Sequence, residues 1–178
     1  MQDEETLIRR AQQHDQAALS RIYEEHFDKI YRYIVLKIGD RTEAEDMTQQ
    51  VFINAFKSIS SYKSKGNPIT SWLFRIAHNQ VVDHLRKKSK RPTVPIEEAL
   101  ARSGDDDPGL EAERRINIEQ LVAATGSLTG LQREVISLRF AGELSVAEVA
   151  RVMGKSEGAI KALQHSAIAS LRRLLSTA

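Results

Sequence analysis

Apolar residues recur along most of the chain at intervals of three and four positions, which is the spacing of one buried face on an α-helix. This pattern predicts helices at about residues 3–13, 16–37, 42–60, 70–89, 111–124, 129–141, 145–153 and 156–175. Apolar and polar residues do not alternate over any sustained stretch, so we expect no β-sheet. The hydrophobic pattern therefore predicts an all-α protein.

Capping residues stand near the ends of several predicted helices. Three segments have the Ser/Thr-x-x-Glu/Gln pattern of a capping box, which satisfies backbone N–H groups at a helix start: residues 42–45, 129–132 and 145–148. Four glycines stand where helices are expected to stop: Gly39, Gly66, Gly142 and Gly154. These signals support the helix boundaries drawn from the periodicity.

Helical periodicity lapses between the fourth and fifth predicted helices. Residues 92–110 contain three of the four prolines and an Asp105–Asp107 run. Such a segment is typical of a linker rather than a packed element. We therefore expect two small helical domains, 1–91 and 116–178, joined by a flexible acidic linker at 92–115.

The second predicted domain contains the arrangement of a helix-turn-helix. A short helix at 145–153 is followed by a turn at Gly154 and a longer helix from Glu157, and in this motif the second helix lies in the major groove of DNA. One face of the long helix carries the expected core stripe: Ile160, Leu163, Ala167, Ile168, Leu171, Leu174 and Leu175. The opposite face is polar and basic. The alternative is an ordinary helical hairpin with a solvated basic face.

The helix predicted at 42–60 has an apolar residue in the middle of its polar side. Ile53 lies among polar residues on that face: Asp46, Gln49, Gln50 and Lys57. An apolar residue with a polar rim is the composition of a protein–protein contact. A single exposed isoleucine is also common on surfaces without any function, so both interpretations stay open.

The helix predicted at 70–89 combines the only tryptophan with cations and amides. Its buried stripe is expected to contain Leu73, Phe74, Ala77, Val81 and Leu85. Its other side carries Trp72, Arg75, Asn79, Asp83, Arg86 and Lys87, and the loop before it contains Tyr62, Lys63, Ser64 and Asn67. Aromatic stacking with phosphate-binding cations is typical of single-stranded nucleic-acid binding. Trp72 would alternatively pack as a hydrophobic staple at the helix start.

Charge and composition narrow the classes of function. The 178 residues carry a net charge of +2, with 16 Lys and Arg against 12 Asp and Glu in 1–91, 3 against 7 in 92–115, and 7 against 5 in 116–178. Two basic blocks around an acidic one permit nucleic-acid binding at both ends. The absence of cysteine excludes disulfides and thiol catalysis. The sequence has no run of about 18 apolar residues that would span a membrane, and its N-terminus lacks the basic and apolar regions of a signal peptide. We therefore expect a cytoplasmic protein without membrane insertion.

An enzymatic interpretation finds little support in the residues. His78 and His84 are six positions apart on one predicted helix, about 240° around its axis, so they cannot chelate one ion as an i, i+4 pair does. No glycine-rich phosphate loop or nucleophile elbow is present. We therefore predict no enzymatic activity, no cofactor and no metal site, and disfavour a helical metal-dependent hydrolase.

These motifs together resemble a known family. Four features of this chain resemble region 2 of the extracytoplasmic-function (ECF) sigma factors of RNA polymerase: DMTQQVF at 46–52, WLFRIAHN at 72–79, Asp83 and Arg86. Residues 128–175, including QREV at 132–135 and GAIK at 158–161, resemble region 4 of the same family. The resemblance covers nearly the whole chain outside the linker. It implies a sigma subunit that directs core RNA polymerase to promoter DNA and helps to melt it.

The resemblance also assigns roles to residues. Binding to the clamp helices of the largest polymerase subunit is implied for Asp46, Gln49, Gln50, Ile53 and Lys57. Contacts with the −10 element are implied for Tyr62, Lys63, Ser64, Asn67, Trp72, Arg75, Asn79, Asp83, Arg86 and Lys87. Contacts with the −35 element are implied for Ser145, Ser156, Glu157, Gly158, Lys161, Ala162, His165 and Ser166. The polymerase flap region and an anti-sigma factor are further implied partners.

Some residues depart from the family pattern, and one other function stays open. Gln50 replaces a carboxylate common in relatives, and Leu163 and Ser166 stand where relatives often carry arginine. These departures weaken the implied −35 contacts most. The alternative function is a helix-turn-helix transcription regulator with a helical sensor or dimerisation domain in front. Such a regulator gives no reason for a Trp/Arg/Asn face beside a basic loop.

Overall fold

A computed structural model describes residues 2–90, 120 and 122–176, and within this part of the chain all regular structure is helical. The α-helices bounded within these residues are α1 (Gln2–Gln12), α2 (Gln16–Ile38), α3 (Arg41–Ser58), α4 (Ile69–Ser89), α5 (Gly130–Ile136), α6 (Val146–Met153) and α7 (Glu157–Ser176). A 3₁₀ turn at Ile59–Ser61 follows α3, a π-helical turn at Ser137–Ala141 follows α5, and residues 122–125 are also helical. The all-α prediction is confirmed. The predicted linker and most of the predicted helix at 111–124 lie outside the described residues.

The helix ends agree with most of the predicted caps. Thr129 and Ser145 both form reciprocal capping boxes, and Gly39 and Gly154 end α2 and α6 with left-handed backbones. The predicted box at 42–45 is wrong. Asp40 is the N-cap of α3 instead, because its carboxylate accepts the N–H of Glu43 at 2.8 Å and so starts the helix earlier.

Two of the four glycines do not end helices as predicted. Gly66, with φ of +77°, lies in the loop before α4, since α3 already ends at Ser58. Gly142 ends the π-helical turn rather than an α-helix, and its φ of −79° is open to any residue. Its lack of a side chain matters for another reason. A Cβ at Gly142 would lie 2.8 Å from the Phe74 ring and 2.7 Å from the carbonyl oxygen of Leu138.

The N-terminal helices pack around an aromatic cluster between α2 and α3. Phe52 is 2% exposed, and its ring lies 4.9 Å from that of Tyr23, 6.2 Å from Phe27 and 5.9 Å from Phe56. α4 adds a buried stripe that includes Leu73, Ala77 and Val81. Burial of these large side chains is the main stabilising contribution to the four-helix unit. The exposed faces of α3 and α4 are thereby fixed in orientation.

Two residues predicted to be buried are exposed. Leu85 in α4 is 37% exposed and Leu174 in α7 is 43% exposed. Both lie near the C-terminal ends of long helices. Periodicity correctly indicates the face on which such a residue lies, but it does not show how far the neighbouring element continues to cover that face.

The C-terminal helices form the predicted helix-turn-helix, and they pack directly on the N-terminal unit. α6, the turn at Gly154 and α7 are the motif, with α5 packed against α7. Buried Val135, Leu138 and Val149 belong to the same continuous core as Tyr33 and Phe74. The Tyr33 and Phe74 rings meet edge to face at 5.6 Å. The two domains therefore share one apolar interface in this conformation.

Candidate nucleic-acid and protein interfaces

A pocket of about 470 Å³ lies between the loop after α3, the start of α4 and the α6 residues Arg151 and Val152. Six of the residues predicted to contact the −10 element line it: Tyr62, Lys63, Ser64, Asn67, Trp72 and Arg75. Asn79, Asp83, Arg86 and Lys87 are exposed further along α4, where Arg86 pairs with Asp83 at 3.0 Å. The structure thus brings a tryptophan and several cations to one concave surface. It leaves the remaining four residues outside that pocket.

Packing holds together two aromatic residues that line this pocket. The rings of Tyr62 and Trp72 have centroids 4.7 Å apart, and the Tyr62 hydroxyl donates to the carbonyl oxygen of Asn67 at 3.0 Å. Burial, and then the negative charge of Glu4, raises the pKa of Tyr62. Tyr62 is 8% exposed, so it supports Trp72 more than it offers a surface of its own. Trp72 is half-buried: it packs against the core and remains partly accessible.

Helix α1 fixes the loop and the start of α4. Gln12 donates from Nε2 to the carbonyl oxygen of Tyr62 at 2.8 Å. Pro68, the N-cap of α4, provides no side-chain acceptor, and Glu4 instead accepts the N–H of Ile69 at 2.8 Å. A carboxylate at this end of a helix also interacts favourably with the helix dipole. Helix α1 therefore supports the pocket from outside its lining, although sequence reasoning identified only the loop and α4.

The polar face of α3 is exposed as predicted. Asp46, Gln49, Gln50, Ile53 and Lys57 are all exposed, with Ile53 at 46%. Gln50 donates to the side-chain oxygen of Asn54 at 2.9 Å along the same helix. An apolar side chain with a polar rim is thus available on the side of α3 opposite the aromatic core.

The helix-turn-helix presents a polar surface on α7. Six predicted contact residues are exposed: Glu157, Gly158, Lys161, Ala162, His165 and Ser166. Two other predicted residues have capping roles, since Ser145 caps α6 and the Ser156 hydroxyl accepts the N–H of Ala159 at 3.2 Å. Ser166 accepts a hydrogen bond from Gln132 at 2.8 Å. Leu163 is half-buried against the core, in agreement with its predicted position.

Sequence reasoning missed a buried charged cluster between the two domains. Glu134 of α5 is 5% exposed; it accepts from the Tyr33 hydroxyl at 2.6 Å, lies 2.8 Å from Nδ1 of His78 and is paired with Lys37. Because an ionised carboxylate only accepts hydrogen bonds, Nδ1 of His78 carries the hydrogen. The only sequence signal was a charged residue beside the apolar Val135 and Ile136.

Burial and pairing act in opposite directions on this carboxylate. Burial alone would raise the pKa of Glu134. The hydrogen bond from His78, the charge and hydrogen bond of Lys37, and the hydroxyl of Tyr33 outweigh it and lower that pKa to about 2. Burial, followed by the negative charge of Glu134, raises the pKa of Tyr33 well above its usual value. Glu134 is therefore a stable anion within the domain interface.

Neither a metal centre nor a membrane span is found in the part of the chain that the structure describes. Its His, Asp and Glu residues form no group of three or more that could hold a metal ion. No helix among residues 2–90, 120 and 122–176 is both long and apolar enough to cross a bilayer.

Comparison with known families accounts for both halves of this architecture. Residues 22–91 match the family described as Sigma-70 region 2, and residues 125–173 match Sigma-70, region 4. The chain belongs to the sigma-70 family. These two regions cover about two thirds of the chain; the first contains Trp72 and the loop beside it, and the second contains the helix-turn-helix.

Relatives within the sigma-70 family support the ECF type that the motifs indicated. The chain is 39% identical over 170 residues to the ECF RNA polymerase sigma factor BldN of Streptomyces coelicolor; the match covers 95% of this chain but 64% of that relative. The structure of CnrH in complex with the cytosolic domain of CnrY has the same fold, with a TM-score of 0.75, 22% identity, and coverage of 98% of this chain and 97% of that one.

A second solved structure shares the fold. The sigma factor RpoE from Bartonella quintana, in complex with the anti-sigma factor NepR, has a TM-score of 0.68 at 21% identity, covering 88% of this chain and 96% of that one. The two family models and the 39% identical relative confirm the resemblance to ECF sigma factors seen in the sequence.

Proposed function

We propose that this chain is a non-catalytic ECF sigma subunit that acts in the cytoplasm. It binds core RNA polymerase, recognises the −35 and −10 elements and promotes DNA melting. One observation carries the proposal: a cation-lined pocket containing a tryptophan lies in the region 2 half, while a helix-turn-helix with an exposed polar helix lies in the region 4 half. A subunit that recognises two separate promoter elements needs one such surface for each element.

The Trp72 pocket suits unwound DNA. A site that accepts a base only after it leaves the stack binds open DNA in preference to duplex, and so shifts the equilibrium towards melting. Unstacking costs on the order of a few kcal/mol per base, and stacking on an aromatic side chain returns about 1–3 kcal/mol. Lys63 and Arg75 beside Trp72 would neutralise the strand's phosphates. The free energy of binding then offsets the cost of unstacking, and the sigma subunit catalyses no reaction.

The proposed partners follow from the exposed faces. The α3 face around Ile53 would bind the clamp helices of the largest polymerase subunit, and the region 4 half would reach the flap region. An anti-sigma factor is a further proposed partner, since the related RpoE was solved in complex with one. The alternative of a helix-turn-helix regulator is not favoured, because residues 22–91 match a sigma region rather than a sensor or dimerisation domain.

Reconstitution tests the proposal directly. The chain is mixed with purified bacterial core RNA polymerase and supercoiled DNA carrying candidate promoters, and specific transcripts are mapped. We expect binding to the core enzyme and initiation at defined start sites. No binding to the core enzyme and no specific initiation on any promoter would contradict the proposal.

Replacing Ile53 with aspartate is expected to weaken binding to the core enzyme about tenfold or more. In the complex, aspartate would bury a charge without a partner where isoleucine places an apolar anchor. In the free chain the residue is exposed to water, so the substitution costs little there. Affinity is measured by fluorescence titration, and the unfolding curve serves as a folding check. Ala17→Asp adds the same charge at an exposed site on α2 and should leave affinity unchanged. Equal affinities for both variants would refute the anchor role.

Replacing Trp72 with alanine is expected to slow open-complex formation about tenfold or more, while closed-complex affinity changes little. The lost stacking of about 1–3 kcal/mol acts only once a base is unstacked. Permanganate footprinting measures opening, and a mobility shift on duplex DNA measures closed binding. Trp72→Phe keeps a ring on Tyr62 and should retain most of the opening rate. An equal loss in both steps would show that Trp72 acts only through the fold.

A further inference from the structure

The interface between the two domains is anchored by two glutamates from the region 4 half. Glu134 is buried, and its polar partners all lie on region 2 helices: Tyr33 and Lys37 on α2, and His78 on α4. Glu143 follows the π-helical turn and pairs at the surface with Lys29 at 2.9 Å and Arg32 at 3.3 Å. Both acids therefore bind one basic stripe of α2.

The apolar contacts around these anchors are close. Tyr33 and Phe74 are fully buried, and they share a core with Leu138 and Val149 from the other domain. Gly142 lies so near the Phe74 ring that an added Cβ would come within 2.8 Å of it. Close apolar burial of this kind, around a buried Glu134 carboxylate that is itself hydrogen-bonded, is characteristic of a specific interface rather than a loose encounter.

Docking brings the region 4 half onto the pocket proposed to receive unwound DNA. Arg151 and Val152 of α6 line the same pocket as Trp72 and Arg75. The contact surface of α7, including Lys161 and His165, remains exposed. The docked arrangement therefore restricts the site for the −10 strand and leaves the duplex-reading helix accessible.

Dimensions show that the docked arrangement cannot serve both promoter elements. The −35 and −10 positions are about 25 base pairs apart, which is roughly 85 Å of duplex at about 3.4 Å per base pair. Two docked domains of this size span about 40 Å. Recognition of both elements by one chain requires the interface around Glu134 to separate.

We propose that the free chain rests in a docked state, held by Glu134 on Lys37, Tyr33 and His78, which must open before both promoter elements are bound. This inference rests on the proposed sigma function for its consequence, but the docked state itself is a property of the free chain. Glu134 has its polar partners on the other domain, so it acts as a latch rather than as a support of its own helix. Opening exposes Glu134 to water and frees the Trp72 pocket from Arg151.

The interdomain distance in the free chain tests the latch. The chain has no cysteine, so single cysteines at the exposed positions Gln13 and Ala169 accept one spin label in each domain. Pulsed electron spin resonance on the full chain should give one narrow distance distribution. Glu134→Lys places two ammonium groups together at the latch, and we expect loss of the short-distance population with unchanged helical circular dichroism.

Two further variants separate the latch from general damage. The exchange Glu134→Lys with Lys37→Glu restores an opposite pair and should recover the narrow distribution, whereas Glu157→Lys makes the same charge change at an exposed site and should not alter it. Glu143→Lys, at the surface beside Lys29 and Arg32, should shift part of the population to longer distances. A broad distribution in the unmodified chain, or a Glu134→Lys distribution like that of Glu157→Lys, would overturn the proposal.

Addition of purified bacterial core RNA polymerase distinguishes the latch from the proposed function. A sigma subunit that opens on binding should shift the labelled wild-type chain to longer distances. If the charge variants behave as expected in the free chain but polymerase neither binds nor changes the distance, the sigma function fails and the docked state stands. If polymerase binds and the distance stays short, the required opening is wrong.

Discussion

Phe52→Ala is expected to lower the free energy of unfolding by about 3–5 kcal/mol, whereas Ile53→Ala should change it by less than about 0.5 kcal/mol. The two residues are adjacent in α3, but Phe52 is buried in the core, whereas Ile53, about 100° further round the helix, is exposed. Phe52 contacts Tyr23, Phe27 and Phe56 in the core, and alanine would leave a cavity among these rings. Ile53 is nearly half exposed, and its truncation leaves no comparable void.

Urea unfolding followed by far-ultraviolet circular dichroism measures both changes, and the midpoint is compared at an unchanged m-value. The pair is internally controlled, because both variants lie in the same turn of the same helix and lose an apolar side chain. Similar losses at the two positions would mean that Ile53 is buried, and would remove the basis for treating the α3 face as a docking surface.

Acidification is expected to remove about 3 kcal/mol of stability through Glu134 alone. Its pKa is about 2 in the folded chain and near 4.5 when unfolded, and each unit corresponds to about 1.4 kcal/mol. Because the folded pKa is the lower one, the stabilisation is complete above about pH 5 and is lost as the pH falls towards 2. The groups that face Glu134 are Lys37 and Tyr33 from α2 and His78 from α4.

A comparison of the wild-type chain with Glu134→Gln isolates this contribution. Glutamine keeps the shape and an acceptor oxygen but has no charge to titrate, so we expect the variant to be less stable at pH 7 and the difference to vanish near pH 2. Glu143 and Asp15 also have lowered pKa values, from their hydrogen bonds with Lys29 and Arg10, but both are at the surface and are unchanged between the two chains. A difference independent of pH would contradict the ionised state of Glu134.

The sequence predicted local structure well because its signals are local. The apolar spacing located α1 to α4 and α5 to α7 within a few residues, and the capping boxes at Thr129 and Ser145 form as expected. The α3 start was misplaced because Asp40, Thr42 and their neighbours offer competing caps, and only geometry selects Asp40. The prediction that Ile53 is exposed used only the periodicity of its own helix, and its exposure in the structure agrees with it.

Contacts between distant parts of the chain could not be read from periodicity. Glu134 is 101 residues from Tyr33 and 56 from His78, and nothing along the chain marks them as neighbours. The same limit applies to Glu4, which caps α4 from 65 residues away. Arg151 was likewise not among the predicted pocket residues, since its position depends on how the two domains pack.

Helix α1 has a practical consequence for handling this protein. Glu4 and Gln12 hold the first turn of α4 and the Tyr62 loop, so any bulky fusion that displaces α1 would also loosen the wall on which Trp72 sits. A purification tag or fluorescent reporter attached beside residue 1 would then give a subunit that melts promoter DNA poorly. This defect would look like damage to the promoter-binding surface itself.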